Sequence, residues 1–180
     1  MGRQEQTNHL FSNRDLRILL VPLIVEQILN SLMGTADSIM VSNVGSAAIS
    51  AVSLVDSINI LVIQAFYALA AGGTIVCSQY IGQKDKKNAE ESARQLSFVV
   101  ACISSAVMAV CLLTRGPLLR LIFGSVEADV MEAAQIYFFY TALSFPFIAL
   151  YDAGSSIYRA QGNTRLPMTI AVVSNGLNIA

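Results

Sequence analysis

The amino-acid sequence predicts an all-α polytopic membrane bundle, with about four complete transmembrane helices and the start of a fifth. Three observations predict it. Of 180 residues, 54% are hydrophobic and only 13% charged, where soluble domains carry about 25% charged residues, and mean hydropathy is +0.59. The charges are bunched, so residues 57–83, 95–114 and 133–151 contain no Asp, Glu, Lys or Arg; apolar windows of about 18 or more residues read as spanning helices. Helix start and stop signals fall between those windows.

Residues 1–13 are polar and are expected to form a cytoplasmic tail. A cleavable signal peptide does not fit, because the apolar region that follows is too long for an h-region. The first span, 14–42, opens with Ser12 as N-cap and Asp15 three residues later, and Pro22 lies inside it as a candidate hinge. The second span covers 48–80. The third, 86–114, opens with Asn88 as cap and Glu91 three residues on. Ser125, Glu127 and Asp129 open the fourth span, 126–158, which contains Pro146. Gly162 ends it, Asn163 or Thr164 begins the next helix, and Pro167 sits in that helix's opening turn, with the fifth segment running from 165 to 180. Small residues at four-residue spacing, Ala68 with Gly72 and Ala101 with Ser105 and Ala109, predict close-packing faces. The glycines of "AAGGT" at 70–74 and the three cysteines, Cys77, Cys102 and Cys111, read likewise as packing residues.

Basic residues set the expected orientation. Arg3, Arg14 and Arg17 precede the first span, Lys84, Lys86, Lys87 and Arg94 surround the second connection, and Arg159 and Arg165 flank the fourth. Only Arg115 and Arg120 lie on the other side. That asymmetry predicts a cytoplasmic N-terminus in a multi-pass protein of the plasma (inner) membrane.

The first span carries a polar stripe. At about 100° per residue, Glu26, Gln27, Asn30, Gly34 and Asp37 share an arc of roughly 100°. The opposite arc, with Ile24, Val25, Ile28 and Leu32, is apolar. A charged side chain in the bilayer costs about 2.5 to 3.5 kcal/mol on the lenient insertion scale, so it usually faces a cavity and marks an ion path. In the second span Asp56, Gln64 and Tyr67 continue a thinner stripe with Ser53, and Asn59 lies slightly outside it. Asp152, with Tyr151, stands two turns before Arg159 and reads as structural, its carboxylate within reach of water or that arginine.

The inward set is acidic and amide, with every Lys and Arg assigned to tails, connections or helix ends. Such a cavity should attract Na⁺, H⁺ or an organic cation, since a carboxylate in low dielectric can exchange protons and one among amide oxygens can ligate Na⁺. A net charge of −1 suggests no nucleic-acid partner. Enzyme chemistry is not expected: the one histidine, His9, lies in the polar tail, and neither a phosphate loop nor a nucleophile paired with a base is present. No cofactor is implied beyond the coupling ion.

Pro22 followed fifteen residues later by Asp37 in "GTADSIMVSNVG", then "GGTIVCSQYIGQKDKKNAEESARQ", "IYRAQGNTRLPM" and "NGLNI", together resemble the multidrug and toxic compound extrusion family. The resemblance implies an antiporter that expels amphipathic, mostly cationic compounds in exchange for Na⁺ or H⁺. It also implies twelve helices in two lobes. Asp37 falls on the family's first-span aspartate and is a possible Na⁺ ligand, Pro22 on its bending proline, and Asn178, with Asn175 nearby, on its fifth-span asparagine. The chain resembles the first two-fifths of such a transporter, so the C-terminal lobe is expected to be needed for transport. Two other readings remain at this point: a lipid-linked oligosaccharide flippase of the related superfamily, and a non-transporting membrane remnant or subunit.

Overall fold

A computed structural model describes residues 13–43, 45–124 and 126–179, the side chains of Asn13, Asp15, Asp37, Asn178 and Ile179 excepted. Five helices follow in order: α1 (Asn13–Ser42), α2 (Ser46–Gly82), α3 (Lys86–Phe123), α4 (Ala128–Ala160) and α5 (Arg165–Ile179). The first four are long and apolar enough to cross a membrane. The expected cap at Ser12 lies outside the described residues, as does Ser125.

The local signals differ from expectation at two places. Asp85, not Asn88, caps α3, its carboxylate accepting from the Asn88 backbone N–H at 3.2 Å. The third helix also continues nine residues past 114, through Arg115, Gly116 and Pro117 to Phe123. Tertiary contact holds that extension in place. Leu119 is fully buried, and the Arg115 guanidinium lies 5.3 Å from the centre of the Phe139 ring on α4, a cation–π contact that accommodates its charge. The α4–α5 turn ends in a Schellman motif: Asn163 N–H donates to Tyr158 O at 3.0 Å and Gly162 N–H to Arg159 O at 2.9 Å. Gly162 takes φ 79° there, a value that glycine adopts without penalty.

The core is a seam between α2, α3 and α4. On α4 the buried positions Val130, Ala134, Phe138, Ala142, Phe145, Ala149 and Ala153 recur every three or four residues, which places them on one face. Phe66 of α2 meets Phe145 edge-on at 6.0 Å. α1 stands outside this trio, packing chiefly on α5 and lightly on α2.

The small-residue faces are not where the four-residue spacing put them. Ala68, Gly72, Ser105 and Ala109 are exposed, and so is Cys102, whereas Cys77 and Cys111 are buried as expected. Small residues lie on more than one face of α2 and α3, and burial falls on the face that carries Phe66 and Ala70, or Val100 and Ser104. Close approach occurs instead at Gly73, where an added Cβ would land on Leu96 Cδ1, with Cδ2 and Cγ at 3.0 Å. Large apolar side chains cover the outside, with Leu113 84% and Leu121 85% exposed; that surface suits lipid. Gly73→Ala should therefore destabilise the fold by about 1–3 kcal/mol through overpacking. Thermal unfolding in detergent should show the loss, and in a Leu96→Ala background Gly73→Ala should cost little more.

Candidate functional site

The site begins with a helix defect. Proline has no N–H, so Pro22 leaves the carbonyl four residues earlier, that of Ile18, without its helix donor. Thr164 Oγ1 donates to Ile18 O at 3.4 Å, and Thr164 is itself 3% exposed. The α4–α5 turn is thereby tied to α1 at the point where α1 is weakest. Pro22 is buried, as is Glu26 one turn later on the same face.

Beyond this tie α1 and α4 do not approach at the backbone, and a cavity of about 330 Å³ opens between α1, α2 and α4. Leu23, Glu26, Gln27 and Asn30 line it from α1, Gln64 and Tyr67 from α2, and Tyr151, Asp152 and Arg159 from α4. Glu26 is 5% exposed. Its Oε1 accepts from Tyr151 OH at 3.4 Å and lies 3.6 Å from Arg159 Nη2. Among the described residues nothing hydrogen-bonds its buried Oε2. Arg159 belongs to the last turn of α4, but helical side chains lean toward the helix N-terminus, so its guanidinium turns back into the bundle. Nε donates to Ser155 O at 3.2 Å and steadies that direction.

The structure thus brings Glu26, Gln27, Asn30, Gln64 and Tyr67 to one cavity. Gly34 does not line it, and nothing lies within 4 Å of where its Cβ would be. Asp56 also turns elsewhere. It accepts from Tyr137 OH at 3.1 Å and from Asn59 Nδ2 at 3.3 Å, which makes it an α2–α4 packing link. Asn175 is buried at 6% exposure and spends an N–H on its own helix, at Ala171 O, 2.9 Å away. The side chains of Asp37 and Asn178 lie outside the described residues. Their backbone positions can be placed in register from the Ile18–Thr164 contact, at about 1.5 Å per residue. Asp37 is then about 28 Å along α1 and Asn178 about 21 Å along α5, in the pair of helices that pack together.

The expectation of a cavity without a cation is corrected: Arg159 lines it. Position at a helix end suggested a solvated arginine, and side-chain direction overrides that. Asp152 and Tyr151 are likewise cavity residues. The seven-residue spacing of Asp152 and Arg159, two helical turns, was the signal that could have placed both on the cavity face.

The sequence profile of the MatE family matches residues 22–180. The chain belongs to the MatE family. It is 32% identical over 176 residues to the uncharacterized transporter YisQ of Bacillus subtilis, a match covering 98% of this chain and 37% of that protein. It is 26% identical over 169 residues to the probable multidrug resistance protein NorM of Thermotoga maritima, covering 92% of this chain and 35% of that one. This MatE chain therefore spans little more than a third of the length of the curated relatives it matches. A solved structure described as an outward-facing multidrug resistance MATE family transporter of the MOP superfamily superposes with a TM-score of 0.85. Identity there is 23%, over 92% of this chain and 36% of that one, and the likeness shows the shared fold.

Two outcomes follow from the MatE site geometry. Thr164→Val, which keeps shape and removes the hydroxyl, should cost about 1–3 kcal/mol by orphaning the Ile18 carbonyl, read as a lower melting temperature in detergent. In a double-mutant cycle, Glu26→Gln and Arg159→Gln should each destabilise alone. The pair should be less damaging than the sum, with a coupling of about 0.5–3 kcal/mol.

Proposed function

We propose that this chain forms part of a cation-coupled efflux antiporter, exporting amphipathic, mostly cationic compounds in exchange for Na⁺ or H⁺. The observation that carries the reading is the cavity's charge. Two carboxylates, Glu26 and Asp152, face one guanidinium, Arg159, leaving one net negative charge in a wall of lipid-suited helices. A negative low-dielectric cleft concentrates cations. The multidrug resistance names of the NorM relatives fit the same reading.

Asp37 is the proposed coupling carboxylate, with Asn178 and Asn175 supplying amide oxygens from α5. Na⁺ favours hard oxygen donors of that kind, and a carboxylate in low dielectric can equally carry a proton. The basic residues near the α1 start, the α2–α3 turn and the α4–α5 turn support a cytoplasmic N-terminus.

Arg159 favours a second reading, an anionic substrate. A structural neighbour from Pyrococcus furiosus is described as having a binding pocket of reverse polarity that suggests a different function. Glu26 engages the guanidinium here, however, and Asp152 leaves the balance negative, so the cationic reading is the better supported.

The test is exchange in proteoliposomes holding the complete polypeptide as encoded, with an imposed Na⁺ or pH gradient. Asp37→Asn should reduce gradient-driven export of an organic cation to background at unchanged protein level. Export that persists in the variant removes Asp37 from the mechanism.

A further inference from the structure

We infer that Glu26 and Asp152 form a binding site for a planar organic monocation, an amidinium or guanidinium, in which Arg159 is a tethered competitor that the ligand displaces. This deepens the efflux reading, on which it rests, by naming a cargo class and its subsite. Buried polar groups are nearly always hydrogen-bonded, yet Glu26 Oε2 is buried with no partner while Glu26 lines an open cavity. Among the described residues none donates to that oxygen, so the carboxylate can take a further donor.

Arg159 is a poor occupant of the position. A guanidinium can fork both oxygens of a carboxylate, but here Nη2 meets Oε1 alone, at 3.6 Å, and Nε is spent on Ser155 O. Anchored on the last turn of α4, it makes no hydrogen bond to Oε2 in this arrangement. A free amidinium has no such tether and could present two parallel N–H groups to Glu26. The remaining wall suits it. Asp152 supplies a second negative charge, and Tyr67 and Tyr151 offer ring faces of the kind that attract delocalised cations. The Arg159 side chain is 26% exposed, so a displaced guanidinium has a path to water. Its departure would also remove the ion pair that joins α1 to α4 across the cavity.

Binding of benzamidinium to the complete polypeptide in detergent, measured by titration calorimetry with neutral benzamide as control, tests this. Arg159→Gln should tighten benzamidinium about tenfold, as expected on removing a competing charge-assisted contact, and leave benzamide unchanged. Adding Glu26→Gln should reverse the gain. Equal benzamidinium affinity with and without Arg159, or equal tightening of benzamide, overturns the inference. Should Arg159→Gln fail to elute as a folded species, Glu26→Gln alone decides: a roughly tenfold loss supports the site and unchanged affinity overturns it. Titration needs no gradient and can be repeated in the Asp37→Asn background. A failure of coupling at Asp37 thus leaves the binding result standing, and a failure of binding leaves exchange at Asp37 to be judged alone.

Discussion

Inside a bilayer no water is at hand to satisfy a peptide group, so each polar atom at membrane depth must find its partner within the protein. The rest of this structure follows from that constraint. It makes the spanning segments helical, and it decides what becomes of every group the helices leave over. Hydroxyls fold back on their own helices, as Ser104 does onto Val100 O at 2.7 Å and Thr114 onto Val110 O at 2.7 Å. The carbonyl freed by Pro22 takes Thr164 from another helix. Asp56 takes Tyr137 from α4. Glu26 takes Tyr151 and Arg159, and still has one oxygen left over.

The partners divide the bundle unevenly. α2, α3 and α4 share a continuous seam of Phe, Ala, Val and Leu, close-packed enough that Gly73 lies against Leu96. α1 has no comparable seam with α4. It is held by α5, lightly by α2, by the threonine that mends its proline break, and across an open cavity by Glu26 through Tyr151 and Arg159. A segment with few buried contacts and an internal helix defect is the kind that moves at low cost. The cavity exists because α1 stands away from α4, so whatever alters the ion pair also alters the wall of the site.

Membership of the MatE family and the geometry of the cavity speak to different questions. The family accounts for the fold. The cavity adds an electrostatic feature: a guanidinium engaged by one of two carboxylates. A cation that is part of the protein changes what a negative site can select. Paired with Glu26, it competes with any other cation for that carboxylate. Specificity of this kind depends on a competing interaction as much as on an attractive one.

Composition and hydropathy alone determined that this is a helical membrane protein, because burial in lipid demands long uncharged windows and the sequence has them. Helical periodicity alone also put Glu26, Gln27 and Asn30 on one wall, since residues three and four apart share a face whatever lies opposite. The sequence could not decide which face of α2 or α3 packs, because small residues occur on several, and burial chose those of Phe66 with Ala70 and Val100 with Ser104. Nor could it end α3, which Leu119 and the Arg115–Phe139 contact carry past a proline. The sequence put Asp56 on a cavity-facing stripe and read Asp152 as structural. Only the packing of α4 against α2 gave Asp56 a tyrosine and left Asp152 in the cavity, and only the backward lean of a side chain from the last turn of α4 placed Arg159 beside Glu26, 133 residues away in sequence.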